Sequence, residues 1–241
     1  MKGVILAAGE GKRLAPIGWD KPKCLLKFGT FALLEHILLS LLKFGINELV
    51  VVLGYKHHMI EGVIRRYPVR YEVVINRDYA KTNTINSLWL ARDYLNSDFV
   101  YLNADVLFDC RILPLLLLHK ESTLAVDVKT CGGEEVKVIV DAEGRITQIG
   151  KDLAPSKSLG EFIGIAKFSQ SVCPSLVRSL RRYNEKMRQK DLFFETAVND
   201  IIKQHPFMAV SIGDLHAVEI DFPADYEMAK KLYSTGAINL A

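Results

Sequence analysis

The chain has 241 residues, of which 49% are hydrophobic and 24% charged, with a formal net charge of +3. This composition is typical of a folded domain with a large core and excludes intrinsic disorder. The small net charge excludes general electrostatic binding of nucleic acid, so any attraction for anionic ligands requires a local basic cluster.

No segment is typical of a secretory signal or a membrane span. The apolar run from Gly3 to Ala8 is too short for a signal peptide, and the apolar stretch 112–119 is too short to cross a bilayer. Four cysteines are scattered without metal-ligand spacing, which indicates reduced structural thiols: Cys24, Cys110, Cys131 and Cys173. We therefore expect a cytoplasmic protein without membrane insertion.

The first half of the chain alternates β-branched runs with amphipathic segments. Strands are predicted at 4–8, 48–54, 71–76 and 97–105, and helices at 31–45, 57–67 and 84–95. Alternation of this kind predicts a parallel sheet with right-handed crossover connections.

In the second half the regular alternation of strands and helices ends, and several short strands follow one another. Strands are predicted at 123–128, 135–141, 145–150, 160–168, 208–212 and 217–220, and helices at 175–189, 195–205 and 223–233. Neither a repeat nor a linker is visible. We predict a single α/β domain with a mixed, mostly parallel central sheet flanked by helices.

The strongest motif is a glycine-containing loop after the first predicted strand, in LAAGEGKRLAPIGWDKPK (6–23). Gly9 and Gly11 allow backbone N–H groups to approach a phosphate without a Cβ in the way. Four cations follow in the same loop: Lys12, Arg13, Lys21 and Lys23. The motif is neither a dinucleotide fingerprint nor a P-loop. A solvated basic loop is the alternative. The loop follows the carboxyl end of a strand, however, and α/β proteins bind ligands at that edge of the sheet, so a phosphate site is favoured.

Residues 6–26 resemble the signature loop of the sugar-1-phosphate nucleotidyltransferases, LAAGxGxRLxPxxxxxPKxLL. The resemblance implies a Rossmann-like, GT-A-like domain whose loop wraps a triphosphate, with Arg13 and Lys23 as catalytic cations. It also implies a nucleotide-binding half, 1–120, and an acceptor-binding half, 121–241. Many members have Leu-Thr where this chain has Ile17-Gly18, which we interpret as a loop variation.

Two acids follow predicted strands and are candidate magnesium ligands. Asp105 ends the fourth strand and could instead cap a turn, whereas Asp221 precedes a helix and could cap it. The same family carries metal-binding aspartates in similar "DxxF" and "EID–PxD" contexts, which implies that both residues bind Mg²⁺. We rank Glu219 and Asp225 lower and expect the Glu219 side chain to point away from the site.

A cluster of short polar side chains lies where the third strand meets the next helix: Thr82, Asn83, Thr84, Asn86 and Ser87. One such residue can cap the helix, but five in six positions suggest hydrogen bonds to a base or ribose. The stretch resembles the "TNnxxSL" segment of phosphocholine cytidylyltransferases, which favours CTP. The predicted nucleotide-binding residues are Leu6, Ala7, Ala8, Gly9, Gly11, Lys12, Asn83, Thr84 and Ser87.

Three segments of the second half, 135–155, 160–168 and 193–202, resemble the same phosphocholine-cytidylyltransferase-like branch. We assign Glu161 and Glu195 to the acceptor pocket, with ordinary surface acids as the alternative. A choline-like acceptor would also favour aromatic faces, although aromatic residues at these spacings are more often part of a core. The candidate aromatic residues are Phe162, Phe193, Phe194 and Trp89.

These features predict Mg²⁺-dependent transfer of a nucleotidyl group, CMP from CTP, to a phosphorylated small molecule such as phosphocholine. Inositol-1-phosphate or a hexose-1-phosphate is the alternative acceptor. A catalytically inactive nucleotide-binding regulatory module is the alternative of another class; the joint presence of Arg13, Lys23, Asp105 and Asp221 argues against it. We expect no nucleic-acid partner, and a homodimer stays open.

Overall fold

The computed structural model describes residues 1–17 and 20–239. Gly18, part of the Ile17-Gly18 departure from the family loop, lies outside these residues. The strands are β1 (Lys2–Ala7), β2 (Lys27–Phe28), β3 (Phe31–Ala32), β4 (Glu48–Leu53), β5 (Arg70–Ile75), β6 (Phe99–Asn103), β7 (Val106–Phe108), β8 (Ser122–Asp127), β9 (Lys137–Val140), β10 (Ile146–Gly150), β11 (Gly160–Phe168), β12 (Phe207–Ser211) and β13 (Ala217–Glu219).

Seven α-helices are found in the same described part of the chain: α1 (Leu33–Lys43), α2 (His57–Ile64), α3 (Thr84–Leu90), α4 (Ile112–Leu117), α5 (Cys173–Arg181), α6 (Glu195–Ile202) and α7 (Pro223–Ser234). None of them, within residues 1–17 and 20–239, has the length and apolar character that crossing a membrane requires.

The central sheet has a parallel core to which antiparallel strands are added. β5, β4, β1 and β6 run parallel in that order, and β11 pairs antiparallel with β6. β9 pairs with β11 and β10 pairs with β9, while β8 pairs with both β11 and β12. The sheet is therefore continuous across both halves of the chain, and the carboxyl ends of its parallel strands meet at one edge.

Helices cover both faces of the sheet because its central strands are buried on both sides. Along β1, Ile5 packs into the cluster beneath α1, α2, α4 and α7, whereas Val4 and Leu6 pack into the cluster beneath α3, α5 and α6. This alternation is the period-two side-chain geometry of a strand. The architecture confirms the predicted α/β fold with a mixed, mostly parallel sheet.

Most predicted elements agree with the structure to within a few residues, and strand 160–168 matches in full. The predicted helix 31–45 is partly wrong, because Phe31–Ala32 pair with Lys27–Phe28 in a two-stranded hairpin before α1 begins. The predicted helix 84–95 ends at Leu90 and continues as a short 3-10 turn, Arg92–Tyr94. The strand Val106–Phe108 and the helix α4 were not predicted.

Candidate active site

The glycine-containing loop follows β1 and folds back against the segment that carries Lys23. Gly11 has φ +71°, a left-handed conformation that favours glycine, and a Cβ there would lie 3.2 Å from the Cβ of Lys23. The next residues, Lys12–Ile17, form a 3-10 helix that brings Arg13 toward the same edge of the sheet. Glycine at position 11 therefore lets the loop lie close to Lys23.

Lys23 joins two carboxylates from distant parts of the chain. Its Nζ lies 2.8 Å from Oδ2 of Asp105 and 2.6 Å from Oδ1 of Asp221. Arg13 also contacts Asp221, with Nη1 3.1 Å from Oδ2. The four residues assigned to catalysis and metal binding thus form one cluster, although their chain positions span more than 200 residues.

Main-chain hydrogen bonds hold the two acids near each other. The N–H of Ile220 donates to the carbonyl of Asp105 at 3.0 Å, beside the antiparallel pairing of β7 with β13. Asp225 accepts hydrogen bonds from the N–H groups of Asp221, at 2.9 Å, and Phe222, at 2.7 Å. Asp225 therefore caps α7 and fixes the backbone of Asp221, a role consistent with its lower rank as a ligand.

The prediction that Glu219 points away from the site is wrong. Carboxylate oxygens of Asp105, Glu219 and Asp221 all lie within 4.8 Å of one another. Glu219 and Asp221 are two residues apart, and side chains at this spacing in an extended segment lie on the same side. The cluster therefore has three acids rather than two.

The charges in this cluster shift one another's ionisation. Burial opposes the charged form of Lys23, but the carboxylates of Asp105 and Asp221 raise its pKa above the usual value. Burial, reinforced by the charges of Asp105 and Asp221, raises the pKa of Glu219 to about 8. Burial also disfavours the charged form of Asp221, yet the neighbouring Lys23 and Arg13 lower its pKa.

A cavity of about 320 Å³ opens beside this cluster and is lined by both halves of the chain. Predicted residues in its wall are Leu6, Ala8, Gly9, Arg13, Asn83, Thr84, Ser87, Asp105, Glu195 and Asp221. Ala7, Gly11 and Lys23 line a smaller adjoining cavity. Lys12 lines a third, next to Arg13 and Lys23. The predicted nucleotide-binding and catalytic residues therefore share one continuous region.

Two of the polar side chains near α3 have structural contacts as well as a position in the cavity wall. Oδ1 of Asn83 accepts a hydrogen bond from the N–H of Thr84 at 2.8 Å at the start of α3. Oγ1 of Thr84 accepts one from the N–H of Phe194 at 2.9 Å. The capping alternative thus applies to Asn83, while Thr84 ties α3 to the segment that precedes Glu195.

Glu195 forms part of the cavity wall and is almost fully buried. Its Oε2 has no hydrogen-bond partner among the described residues. Burial raises the pKa of Glu195 to about 7, against the opposing effects of a main-chain hydrogen bond and of the charge of Lys151. Phe193 and Lys151 line the same part, with the ammonium 5.0 Å from the ring centroid.

Three candidates for the acceptor pocket do not line this cavity. Glu161 lies outside its wall and pairs with Lys129 at 2.6 Å. Phe194 is fully buried and packs 4.3 Å from the ring of Tyr101, and Trp89 is also buried. The core alternative therefore applies to Phe194 and Trp89, whereas Phe162 and Phe193 do line the wall.

Sequence reasoning missed several residues of the cavity wall, including Asn76, Asn103 and Lys151. Asn76 and Asn103 follow or end the parallel strands β5 and β6, at the edge where ligands bind in such sheets. That position was the available signal for both. Lys151 follows the edge strand β10, where a single lysine gives no comparable signal.

Over residues 2–139 the chain matches the family model described as Nucleotidyl transferase. It is 27% identical to the CTP:phosphoglutamine cytidylyltransferase of Campylobacter jejuni, over 95% of this chain and 98% of that protein. It is also 27% identical to the choline-phosphate cytidylyltransferase of Haemophilus influenzae, over 94% of each. Among solved structures, the CTP:phosphocholine cytidylyltransferase of Streptococcus pneumoniae superposes with a TM-score of 0.80 at 24% identity, covering 96% of this chain and 98% of that one.

Proposed function

This chain belongs to the nucleotidyl transferase family, and from that premise we propose that it transfers CMP from CTP to a phosphorylated acceptor that carries a cationic group. Membership in the family confirms the predicted nucleotidyltransferase class. The choice of CTP follows the two relatives compared above, whose names specify cytidylyl transfer. Features of the cavity support the proposed cationic group of the acceptor.

The observation that carries the proposed chemistry is the cluster of Arg13 and Lys23 with Asp105 and Asp221 beside the glycine loop. A triphosphate needs positive charge and free N–H groups, which the loop and its two cations can supply. Phosphoryl transfer needs positioning and neutralisation of charge more than covalent chemistry from the protein. The cluster has the residue types for both tasks.

The acids also fit a divalent cation, which we propose to be Mg²⁺. Carboxylate oxygens are the ligands that Mg²⁺ prefers, and Asp105, Glu219 and Asp221 place theirs within 4.8 Å of one another. Oδ1 of Asp105 is buried without a hydrogen-bond partner among the described residues, so it can accept a ligand. We assign Asp105 and Asp221 as the ligands; a bound Mg²⁺ supplies neutralisation of charge on phosphate oxygens.

The proposed reaction is an in-line displacement at the α-phosphorus of CTP. An oxygen of the acceptor phosphate forms a bond to that phosphorus, the bond to the bridging oxygen breaks, and pyrophosphate leaves with the electron pair. No general base is required, because the acceptor phosphate is already ionised near neutral pH. Lys23 stabilises the charge on the α-phosphoryl group, and Arg13 with the 9–13 loop holds the departing pyrophosphate.

The buried carboxylate of Glu195 supports a cationic acceptor. The buried carboxylate is costly to ionise while its Oε2 has no hydrogen-bond partner among the described residues, and a cation placed beside that oxygen offsets the cost. The ring of Phe193 lies 5.0 Å from the ammonium of Lys151, so a cation–π contact with a quaternary ammonium group would use the opposite face of this exposed ring. Lys151, in the same wall, is suited to the acceptor phosphate rather than to its cationic end.

Pyrophosphate release tests the proposal directly, using the four NTPs in combination with phosphocholine, inositol-1-phosphate and glucose-1-phosphate. We expect the highest kcat/KM with CTP and phosphocholine, and a preference for CTP over UTP of at least about tenfold, which needs about 1.4 kcal/mol. A preference for TTP with glucose-1-phosphate would contradict the assignment of base and acceptor. Binding of NTPs without any pyrophosphate release would indicate the regulatory module.

A further inference from the structure

Asn76 has a buried amide side chain that contacts the polar cluster near α3. It directly follows β5, is only 1% exposed, and lines the cavity. Its side chain contacts three other polar side chains, those of Thr82, Asn86 and Ser87. A buried hydrogen-bond network of this kind restricts the orientation of its members, because an unpaired group there is costly.

The amide of Asn76 can point in one direction only. Its Oδ1 accepts a hydrogen bond from the backbone N–H of Asp78 at 3.1 Å, and an N–H can act only as a donor. Nδ2 of Asn86 adds a second donor to the same oxygen at 3.4 Å. The Nδ2 of Asn76 must therefore face Thr82 and Ser87.

The two hydrogens of that Nδ2 have two acceptors. One is Oγ1 of Thr82 at 3.0 Å, and the other is Oγ of Ser87 at 3.1 Å. The Thr82 hydroxyl in turn donates to the carbonyl of Asp78 at 3.0 Å, a closer contact than its 3.5 Å approach to Oδ1 of Asn76. Thr82 therefore has its donor and one acceptor site in use.

Ser87 differs from Thr82 because its hydroxyl hydrogen is still available for a hydrogen bond. Its oxygen accepts from Asn76, so its own hydrogen must point elsewhere, and no acceptor for it is found among the described residues. Ser87 also forms part of the cavity wall. The hydroxyl of Ser87 is therefore a hydrogen-bond donor toward the cavity, and the amide of Asn76 prevents it from reversing.

We propose that Asn76 is a positioning residue that selects the nucleobase by fixing Ser87 as a donor. This inference rests on the proposed function. The N3 atom of cytosine is an acceptor, whereas the N3 of uracil carries a hydrogen, so a fixed donor matches cytosine and leaves uracil unmatched. A site built on hydrogen bonds discriminates strongly against a ligand that leaves its groups unpaired. Thr82, whose hydrogen is already in use, does not take part in this selection.

Substitution of Asn76 by aspartate tests the direction of the network. A carboxylate at this position accepts the hydrogen of Ser87, which turns the lone pairs of the Ser87 oxygen toward the cavity. At pH 8, which favours the ionised carboxylate, we expect N76D to lower kcat/KM for CTP and to raise it for UTP. A merely structural defect would lower both values, so a gain with UTP identifies the positioning role.

Three further variants test whether the change in base preference acts through the Ser87 hydroxyl. S87A removes only the hydroxyl, and we expect the preference for CTP over UTP to fall from at least about tenfold to below about threefold. The double variant N76D/S87A should lose the gain with UTP, because that gain acts through Ser87. T82V is the matched control, since it removes the other acceptor of the same amide and should retain the preference.

The outcomes distinguish this inference from the function on which it rests. A wild-type protein that does not turn over CTP contradicts the proposed function. A wild-type preference for CTP that S87A leaves unchanged contradicts the role of Ser87 and therefore the inference alone. If N76D does not fold, as judged by its thermal melt, N76A takes its place: it removes the donor that fixes Ser87, so it should lower the preference for CTP over UTP as S87A does, and an unchanged preference would contradict the inference.

Discussion

The Nζ atom of Lys23 lies 2.6 Å from Oδ1 of Asp221, although 198 residues separate them in the chain. The same ammonium lies 2.8 Å from Asp105, so it balances two of the three clustered acids. Three carboxylates this close repel one another strongly without a cation between them. Lys23 thus acts as a counter-ion of the acid cluster.

Substituting either proposed metal ligand should abolish most of the activity without unfolding the protein. We expect D105N and D221N to lower kcat by at least about 100-fold, because charge neutralisation by a metal is worth several kcal/mol. Both side chains are partly exposed, so the core stays intact. E227Q, on the exposed face of α7, is the control. Turnover of either variant at the wild-type rate under limiting Mg²⁺ would contradict the assignment.

Lys23 and Lys12 should differ in their kinetic effects, although both are cations of the same loop. K23M should lower kcat more than it raises the KM for CTP, because its charge matters most as the α-phosphoryl group rearranges. The side chain of Lys12 is 68% exposed and pairs with Glu10. K12M should therefore mainly raise KM. Steady-state kinetics with CTP decide this, and a pure KM effect for K23M would mean that Lys23 binds only the ground state.

Glu195 should make the stability of the protein depend on pH. Burial raises its pKa to about 7, so the folded state binds more protons than the unfolded state, whose carboxyl titrates near 4.3. The contribution of Glu195 to the free energy of unfolding is fully present below about pH 4.3 and falls by about 3 kcal/mol as the pH rises to 7. The free energy of unfolding of E195Q, measured with urea, should therefore rise relative to that of the wild type between about pH 4.5 and 7. Equal pH profiles would contradict the predicted shift.

The same titration should affect the acceptor. A cationic acceptor favours the ionised form of Glu195, so the KM for phosphocholine should fall as pH rises through about 7. The charge of Lys151 also acts on this carboxyl group. E195Q should lose this part of the pH dependence. An identical pH profile of KM in E195Q would show that the acceptor does not contact Glu195.

Periodicity predicted the elements that have a polar and an apolar face and failed where no such contrast exists. The hairpin Lys27–Phe28 with Phe31–Ala32 has strands of two residues, too short for alternation to be visible. Helix α4 lies in the continuous apolar run ILPLLLL with Pro114 inside it, so neither a helical stripe nor a clear N-terminal signal marks it.

The candidate site was predictable where motif and strand end coincide. Arg13, Lys23, Asp105 and Asp221 each lie in a recognisable segment, and the sheet brings them together. Asn76 ends the predicted strand 71–76 but belongs to no motif, and the role proposed for it depends on tertiary contacts with Thr82, Asn86 and Ser87. The error on Glu219 was avoidable, because a two-residue spacing in an extended segment places side chains on one side.

Thr84 provides a test between its predicted contact with the nucleotide and its observed contact with the protein. Its Oγ1 accepts the hydrogen bond from the N–H of Phe194 at 2.9 Å, next to Glu195 in the chain. T84V keeps the shape of the side chain but leaves that N–H unpaired, at a cost of about 1–3 kcal/mol.

Because the lost bond holds the segment before Glu195, T84V should raise the KM for phosphocholine more than the KM for CTP. T84S retains the hydroxyl and should restore the wild-type values, which separates the hydrogen bond from the methyl group. Steady-state kinetics with each substrate varied in turn, together with urea unfolding, measure both effects. A rise confined to the KM for CTP, with unchanged stability, would instead assign the Thr84 hydroxyl to the nucleotide.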